Sequence, residues 1–344
     1  TYPIALRVTD ERCGFTDEAE AFASIANVAP TVDAGADQAG TEGQVLAFSG
    51  VAVDPGTADT AAGFTWLWEF GDGFVAAGKD VTHAYADNGV FVVTLKVWDK
   101  DGGQGQGTLV ATIGNAAPVV NAGPDAVTNE GTGVFLFGTA VDPGAGDQAT
   151  LTYAWGFGDG SPPQGGQSVT HAYADNGVYT VTLTVTDKNG GQGADTLVVT
   201  VNNLPPQFTT APVAAVTEEA AYAYAAAALD PGSADQATLA YAVISGPQGL
   251  AIDPASGAVT WTPTNAQAAQ SHTVTLKVTD KDGATGIQTF QIAVANLNDA
   301  PSITSTAVTA ATEEQAYAYQ ATAADDDLGN PSGEALAWSL TAAP

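Results

Sequence analysis

The sequence predicts an all-β chain in which β-sandwiches follow one another in an elongated array. Three observations carry that prediction. Apolar residues alternate with polar ones at a period of two, blocks of sequence recur at a fixed spacing, and apolar runs are bounded by Gly, Asp and Pro, with no helical stretch.

The alternation is plainest in "VFVVTLKVWD", where Phe91, Val93, Leu95 and Val97 share one face, and in "VYTVTLTVTD", where Tyr179, Val181, Leu183 and Val185 do the same. Runs such as "QVLAFSGVAV" and "FTWLWEF" add further strands, for about seven per repeat, as a β-sandwich requires. Trp66, Trp68, Tyr153 and Trp155 share parity on the third strand and are expected to pack in the cores.

The repeat is read from "HAYADNGVFVVTLKVWDKDGG" at His83, which returns as "HAYADNGVYTVTLTVTDKNGG" at His171, 88 residues later. The same offset links Asn27 to Asn115, Glu42 to Glu130, Asp54 to Asp142 and Asp99 to Asp187. A divergent third copy carries "AVTEEAAYAYAAAALDPGSADQ" from Ala215 and "HTVTLKVTDKDG" from His272, and a fourth opens at "DAPSITSTAVTAATEEQAYAY". The opening "TYPIALRVTDE" matches a late strand of the unit. The expected organisation is therefore 1–27 as the C-terminal part of a preceding repeat, full repeats at 28–115, 116–203 and 204–297, and 298–344 as the N-terminal part of another. A chain of 344 residues fits about two to four domains.

Composition narrows the partners. Asp and Glu number 38 against 8 Lys and Arg, for a formal charge of −30, which disfavours nucleic acid and anionic membrane surfaces. The acids form either a solvating coat or metal sites. Cys13, the single cysteine, lies in the turn "DERCGF", permits no internal disulfide and reads as an incidental thiol. No apolar run spans a membrane.

The repeats at 28–115 and 116–203 resemble the PKD (polycystic kidney disease) repeat family in "WEFGDG" and "WGFGDG", "VTHAY", "NGVF" and "NGVY", and "VTLKVWDKDGG". The later two resemble bacterial cadherin-like domains of dystroglycan type in "GPQGLAIDPASGAVTWTPT", "VTLKVTDKDG" and "LNDAP". Both resemblances imply immunoglobulin-like sandwiches, so the expected fold is a series of tandem immunoglobulin-like β-sandwiches.

Strand ends in such a sandwich alternate between two poles. The incoming linker, the loop after the second strand and the loop before the last strand share one pole, which holds Asn27, Asp54, Asp59, Asp99 and Asp101 in the first full repeat. The loop before the second strand, with Glu42, lies at the other, as do Asp72 and Asp87. End-to-end stacking then gathers Glu42, Asn115, Asp142, Asp147 and Asp187 at one joint. Glu130, Asn203, Asp230, Asp235, Asp280 and Asp282 meet at the next, and Glu218, Glu219, Asn298, Asp299, Asp325 and Asp327 at the last. So many carboxylates repel one another unless a hard divalent cation joins them, and calcium, with its flexible shell of about six to eight oxygens, suits loop-borne ligands better than magnesium does. Seven of the eight acids in 116–203, all but Asp195, match acids of the preceding repeat.

The PKD resemblance implies the same ligands: Asn27, Asp54, Asp59 and Asp99, then Asn115, Asp142, Asp147 and Asp187. The cadherin-like resemblance implies Glu218, Asn298, Asp299, Asp325 and Asp327. Ala295 and Leu297 stand where animal cadherins carry further linker ligands, and no "DRE" follows "GAVTWTPT", which implies fewer ions per joint. Asp72 and Asp159, in GDG turns, are expected to cap their own backbone instead.

Catalysis is not indicated. His83 and His171 read as structural strand histidines, and no Ser-His-Asp or Cys-His arrangement or phosphate loop is suggested. Lys100, Lys188 and Lys281 lie in "DK" turns and are expected to be exposed, which disfavours a Lys–Asn crosslink. Trp98 faces away from Val97 where its counterparts are Thr9, Thr186 and Thr279; it reads either as a ligand-binding side chain or as one shielded by a neighbouring loop. The expected role is a calcium-stiffened stalk of an extracellular surface adhesin or filament protein. The alternative is a glycan- or protein-binding accessory region of a secreted enzyme. The expected partners are neighbouring repeats, with glycans, surface proteins or further copies of the chain beside them.

Overall fold

The computed structural model describes residues 2–329 and 331–341; Thr1, Asn330 and residues 342–344, which fall in the expected first and last segments, lie outside the described residues. Strands dominate, and the predicted tandem immunoglobulin-like sandwiches are what the chain forms.

In the first full repeat the larger sheet runs in the order Gln38–Thr41, Gln104–Gly114, Gly89–Trp98, Thr65–Glu69, Val75–Ala77. Its first pair is parallel and the others are antiparallel. The facing layer consists of two ladders, Thr31–Asp33 with Val51–Val53 and Val45–Ser49 with Asp80–Ala84. Gly50 lies between the two ladders, where a Cβ would come within 2.4 Å of Leu95 and 3.0 Å of Trp66. The next repeat has the same order: Ala126–Asn129, Gln192–Asn202, Gly177–Thr186, Thr152–Gly156, Gln164–Gly165. The third keeps a four-stranded version, Ala215–Thr217, Thr285–Ala295, Gln270–Thr279, Ala240–Ser245, opposite Tyr222–Ala225, Ala258–Trp261 and Ala251–Ile252.

The period-two faces pack as their parity demands. Val93, Leu95 and Val97 are fully buried against Trp68, and Val181, Leu183 and Val185 against Trp155, while Trp66 and Tyr153 cover the margins. The hydroxyls of Tyr85 and Tyr173 donate to the carbonyls of Phe70 and Phe157, both at 3.1 Å, pinning the GDG turns beneath. His83 stacks on Phe70 at 4.1 Å and meets Asp72 at 2.7 Å, and His171 repeats the contact with Asp159, so both rings are structural. Asp72 and Asp159 accept from the N–H two residues on, as turn caps do.

One detail departs from the sequence reading and one extends it. The loop after the second strand is helical, with an α-helical turn at Thr57–Ala62 and 3-10 turns at Gln148–Thr150 and Gln236–Thr238. These turns are too short to carry a helical period, and they follow the "DPG" step, where Asp54, Asp142 and Asp230 accept from the N–H of Gly56, Gly144 and Gly232. The "DK" lysines fold back onto acids, as described below.

Before the first full repeat, Tyr2–Thr9 and Thr16–Ala23 form an antiparallel hairpin with Cys13 exposed in its turn. In the last segment Ser302–Ile303 pairs with Ala323–Ala324. No helix among the described residues is long and apolar enough to cross a membrane.

Leu183→Ala should lower the unfolding free energy of its own sandwich by about 2–5 kcal/mol. Hydrogen exchange of the whole chain, read by mass spectrometry, should speed up in Gly177–Thr186 and leave the third sandwich unchanged.

Candidate metal centres at the joints

At the two central joints, short backbone segments hold one oxygen of Glu42, Asp142, Glu130 and Asp230 and leave the other without a partner. At the first, Glu42 follows the edge strand Gln38–Thr41, and its Oε1 accepts from Ala116 N–H at 2.8 Å, which ties the pole of one sandwich to the linker of the next. Asp142 Oδ1 accepts from Gly144 at 2.8 Å. Asp187 Oδ1 accepts from Asn189 and Gly191, while its Oδ2 takes the Asn115 amide at 2.9 Å. The second joint repeats this bond for bond: Glu130 Oε1 with Leu204 N–H at 2.7 Å, Asp230 Oδ1 with Gly232, and Asp280 with Asp282, Ala284 and the Asn203 amide.

The acids of the joints converge. Ligand atoms of Glu42, Asp142 and Asp147 lie within 4.8 Å of one another, as do those of Asp230, Asp235 and Asp280, and of Glu130, Asp175 and Asp235. Glu42 is 1% exposed, Glu130, Asp147 and Asp235 are 0%. Glu42 Oε2, Asn115 Oδ1, Asp142 Oδ2 and Asp147 Oδ2 are buried without a hydrogen-bond partner, and Glu130 Oε2, Asn203 Oδ1, Asp230 Oδ2 and Asp235 Oδ2 repeat the set. An unpartnered buried polar atom costs about 1–3 kcal/mol, more when charged. Four such oxygens from two consecutive sandwiches, all hard donors, fit a divalent cation with oxygen preference.

The electrostatics agree. Burial pushes Glu42, Glu130, Asp142 and Asp230 above their ordinary values, and neighbouring acids add to it: Asp147 and Asp142 for Glu42, Asp235 and Asp280 for Asp230. Asp187 is held the other way. Burial opposes its ionisation, but the Asn115 amide and the N–H groups of Gly191 and Asn189 prevail and lower its pKa.

Contact across the joint is close. Gly146 N–H donates to Ala86 O at 2.8 Å and Ala234 N–H to Ala174 O at 3.0 Å. Gly43, with φ +72°, faces Pro143 so tightly that a Cβ would lie 2.2 Å from its carbonyl oxygen, and Gly131 meets Pro231 at the same distance. The lysines complete the joint. Lys188 pairs with Asp147 and with Asp87 of the preceding sandwich, and Lys281 with Asp235 and Asp175. Both lysines are exposed, as expected, with side chains about one-third accessible, and the surrounding carboxylates pair with them.

The outer joints are looser. Before the first full repeat, Asn27 donates to Asp99 at 2.9 Å and Asp54 Oδ2 is unpartnered, but Asp59 is taken by Lys100 at 2.7 Å and no triad forms among the described residues. At the last joint the triad is Asp325, Asp327 and Glu334. Asp299 N–H donates to Asp327, Glu218 Oε1 takes Leu297 N–H at 2.6 Å, and among the described residues no triad there includes Glu218. Glu219 is exposed at φ 59°, where Gly43 and Gly131 stand in the earlier repeats. Asn298 turns its amide to Asp299 O, and Asp282 accompanies Lys281 at 3.2 Å without entering a triad. Asp175 and Glu334 were not picked out from sequence; the "ADNG" turn shared by Asp87 and Asp175 was the available signal for the first. Trp98 is half-buried on the outer sheet face between Thr65 and Gln104.

A family model for the PKD domain matches residues 27–113 and 115–201, and one for an Ig domain matches 205–295. Human polycystin-1 is 27% identical over 143 residues, 41% of this chain and 3% of that protein. Human dyslexia-associated protein KIAA0319 is 30% identical over 233 residues, 62% of this chain and 21% of that protein, so the chain spans a small part of either relative. Among solved structures, mouse cadherin-23 EC22-24 is 19% identical with a TM-score of 0.30, covering 78% of this chain and 99% of its own.

Two outcomes follow. The folded joint holds protons on Glu42 and Asp142 more tightly than the unfolded chain, so without divalent ions their contribution is present below the ordinary values of 4.5 and 3.8 and is lost as pH rises through the elevated ones. In chelator, calorimetry should show the unfolding temperature falling as pH rises from the ordinary carboxylate values toward neutrality, and Glu42→Gln should flatten that slope. Gly43→Val should splay the first joint, seen as faster exchange at Ala116 and Gly146, while the strand Gly177–Thr186 keeps its protection.

Proposed function

This chain belongs to the PKD domain family over half its length, and on that premise we propose that it is the stalk region of an extracellular surface protein whose joints are stiffened by calcium. Its units are 28–115, 116–203 and 204–297, flanked by parts of two more. What carries the reading is the set of buried, unpartnered oxygens contributed from both sides of each central joint.

The chain's own residues do most of the work. Glu42 and Glu130, each fastened to the following linker through one oxygen, orient consecutive sandwiches; Asn115 and Asn203 aim Asp187 and Asp280. Asp142 with Asp147, and Asp230 with Asp235, present oxygens from the helical turn after the second strand. A bound calcium ion would supply the two positive charges that let these carboxylates stay ionised side by side. Because the ligand set is complete only when two sandwiches are aligned, ligation stabilises that alignment by mass action. Extracellular calcium modules work with dissociation constants of about 10⁻⁴–10⁻³ M, so even a modest site is filled outside cells. Such a rod has no need of catalytic groups, and it holds a head or a partner away from a surface.

Small-angle scattering of the whole chain tests this. In calcium the maximum dimension should be long and narrowly distributed, and chelator should broaden and shorten it. Asp142→Asn combined with Asp230→Asn should reproduce the chelated profile in calcium. A distribution that chelation leaves unchanged would refute the stiffening.

A further inference from the structure

Lys188 and Lys281 occupy a second cation position in each central joint. Lys188 Nζ lies between Asp147, the Asp87 carboxylate of the preceding sandwich at 2.6 Å, and Gly146 O at 3.4 Å. Lys281 Nζ lies between Asp235, Asp175 of the preceding sandwich at 2.6 Å, and Asp282 at 3.2 Å. Each ammonium therefore sits among oxygens alone, two or three of them charged, drawn from both sides of the joint.

At the first joint Lys188 engages Asp87 and Asp147 rather than Glu42 and Asp142. Asp147 gives Oδ1 to Lys188 and keeps Oδ2 without a partner, in the joint where it groups with Glu42 and Asp142. At the second joint two triads share Asp235: Asp230–Asp235–Asp280, and Glu130–Asp175–Asp235, whose Asp175 and Asp235 are the ones Lys281 grips. Asp87 Oδ1 is buried without a hydrogen-bond partner, a further free oxygen beside the lysine. Lys100 pairs with Asp59 at 2.7 Å within its own repeat, so the lysine is aimed by its own Asp-Lys turn. Charge points the same way. Glu42, Asp87, Asp142, Asp147 and Asp187 bring five carboxylates to the first joint against one lysine. One divalent ion plus the ammonium balances three of them, and without the lysine a second divalent ion would be favoured.

Resting on the calcium reading of the joints, we propose that Lys188 and Lys281 are built-in cations that hold each central joint to a single divalent ion. Removing the ammonium exposes an oxygen shell that a second ion can enter; replacing it by another fixed cation does not.

Equilibrium dialysis of the whole chain against calcium, in about 0.15 M salt to screen the diffuse acidic surface, counts the ions. Lys188→Met should bind one calcium more per chain than the wild type, Lys281→Met likewise, and the double variant two more, whereas Lys188→Arg should match the wild type. The two joints are separate tests, so a variant that misfolds at one leaves the other to decide. Wild-type binding with no gain in either methionine variant would overturn the lysine's role and leave the calcium reading standing. A wild type that binds no calcium would overturn both.

Discussion

A carboxylate has two oxygens, and at the central joints the protein divides them. One oxygen of Glu42, Asp142, Glu130 and Asp230 accepts a backbone N–H, and the other is buried with nothing to bond. The first half of that division is cheap and positions the loop. The second is expensive, because desolvating an anionic oxygen without a partner costs more than most single contacts return. Repeating the arrangement atom for atom at two joints, 88 residues apart, multiplies that cost. The raised pKa values of Glu42, Glu130, Asp142 and Asp230 reflect that cost, and the proposed ion would offset it.

The sandwich supplies the geometry through topology alone. Antiparallel strands return their loops to alternating poles, so the acid before the second strand meets the next repeat's linker, helical turn and last-strand turn with no adjustment of the cores. Packing then sets the spacing. Gly43 against Pro143 and Gly131 against Pro231 bring the two backbones into contact, and the Gly146–Ala86 and Ala234–Ala174 hydrogen bonds lock the register. Where this pattern lapses, as at Glu219, the acids no longer group across the joint in the same way.

Much of this was legible in the sequence because it depends on parity and spacing. The faces of "VFVVTLKVWD" and "VYTVTLTVTD", the core tryptophans and the polar clustering of Glu42 with Asp142 and Asp147 all follow from a period of two and a repeat of 88. What depends on side-chain reach was not. Lys188 and Lys281 look like surface turn residues in the sequence, and only the field of the assembled acids explains their return to the joint. Asp175 belongs to a turn whose chemistry is ambiguous until its neighbour is placed, and Glu334 lies in the segment with the weakest repeat signal. The helical turn Thr57–Ala62 is shorter than any periodicity can register.

The central claim is that the free oxygens of two consecutive sandwiches share an ion. A high-resolution crystal structure grown in calcium tests it most directly. The account predicts an anomalous-scattering peak among the free oxygens of Glu42, Asn115, Asp142 and Asp147, and another among those of Glu130, Asn203, Asp230 and Asp235, with oxygens at about 2.3–2.6 Å. Water alone at those positions, with the carboxylates turned out toward solvent, would contradict it.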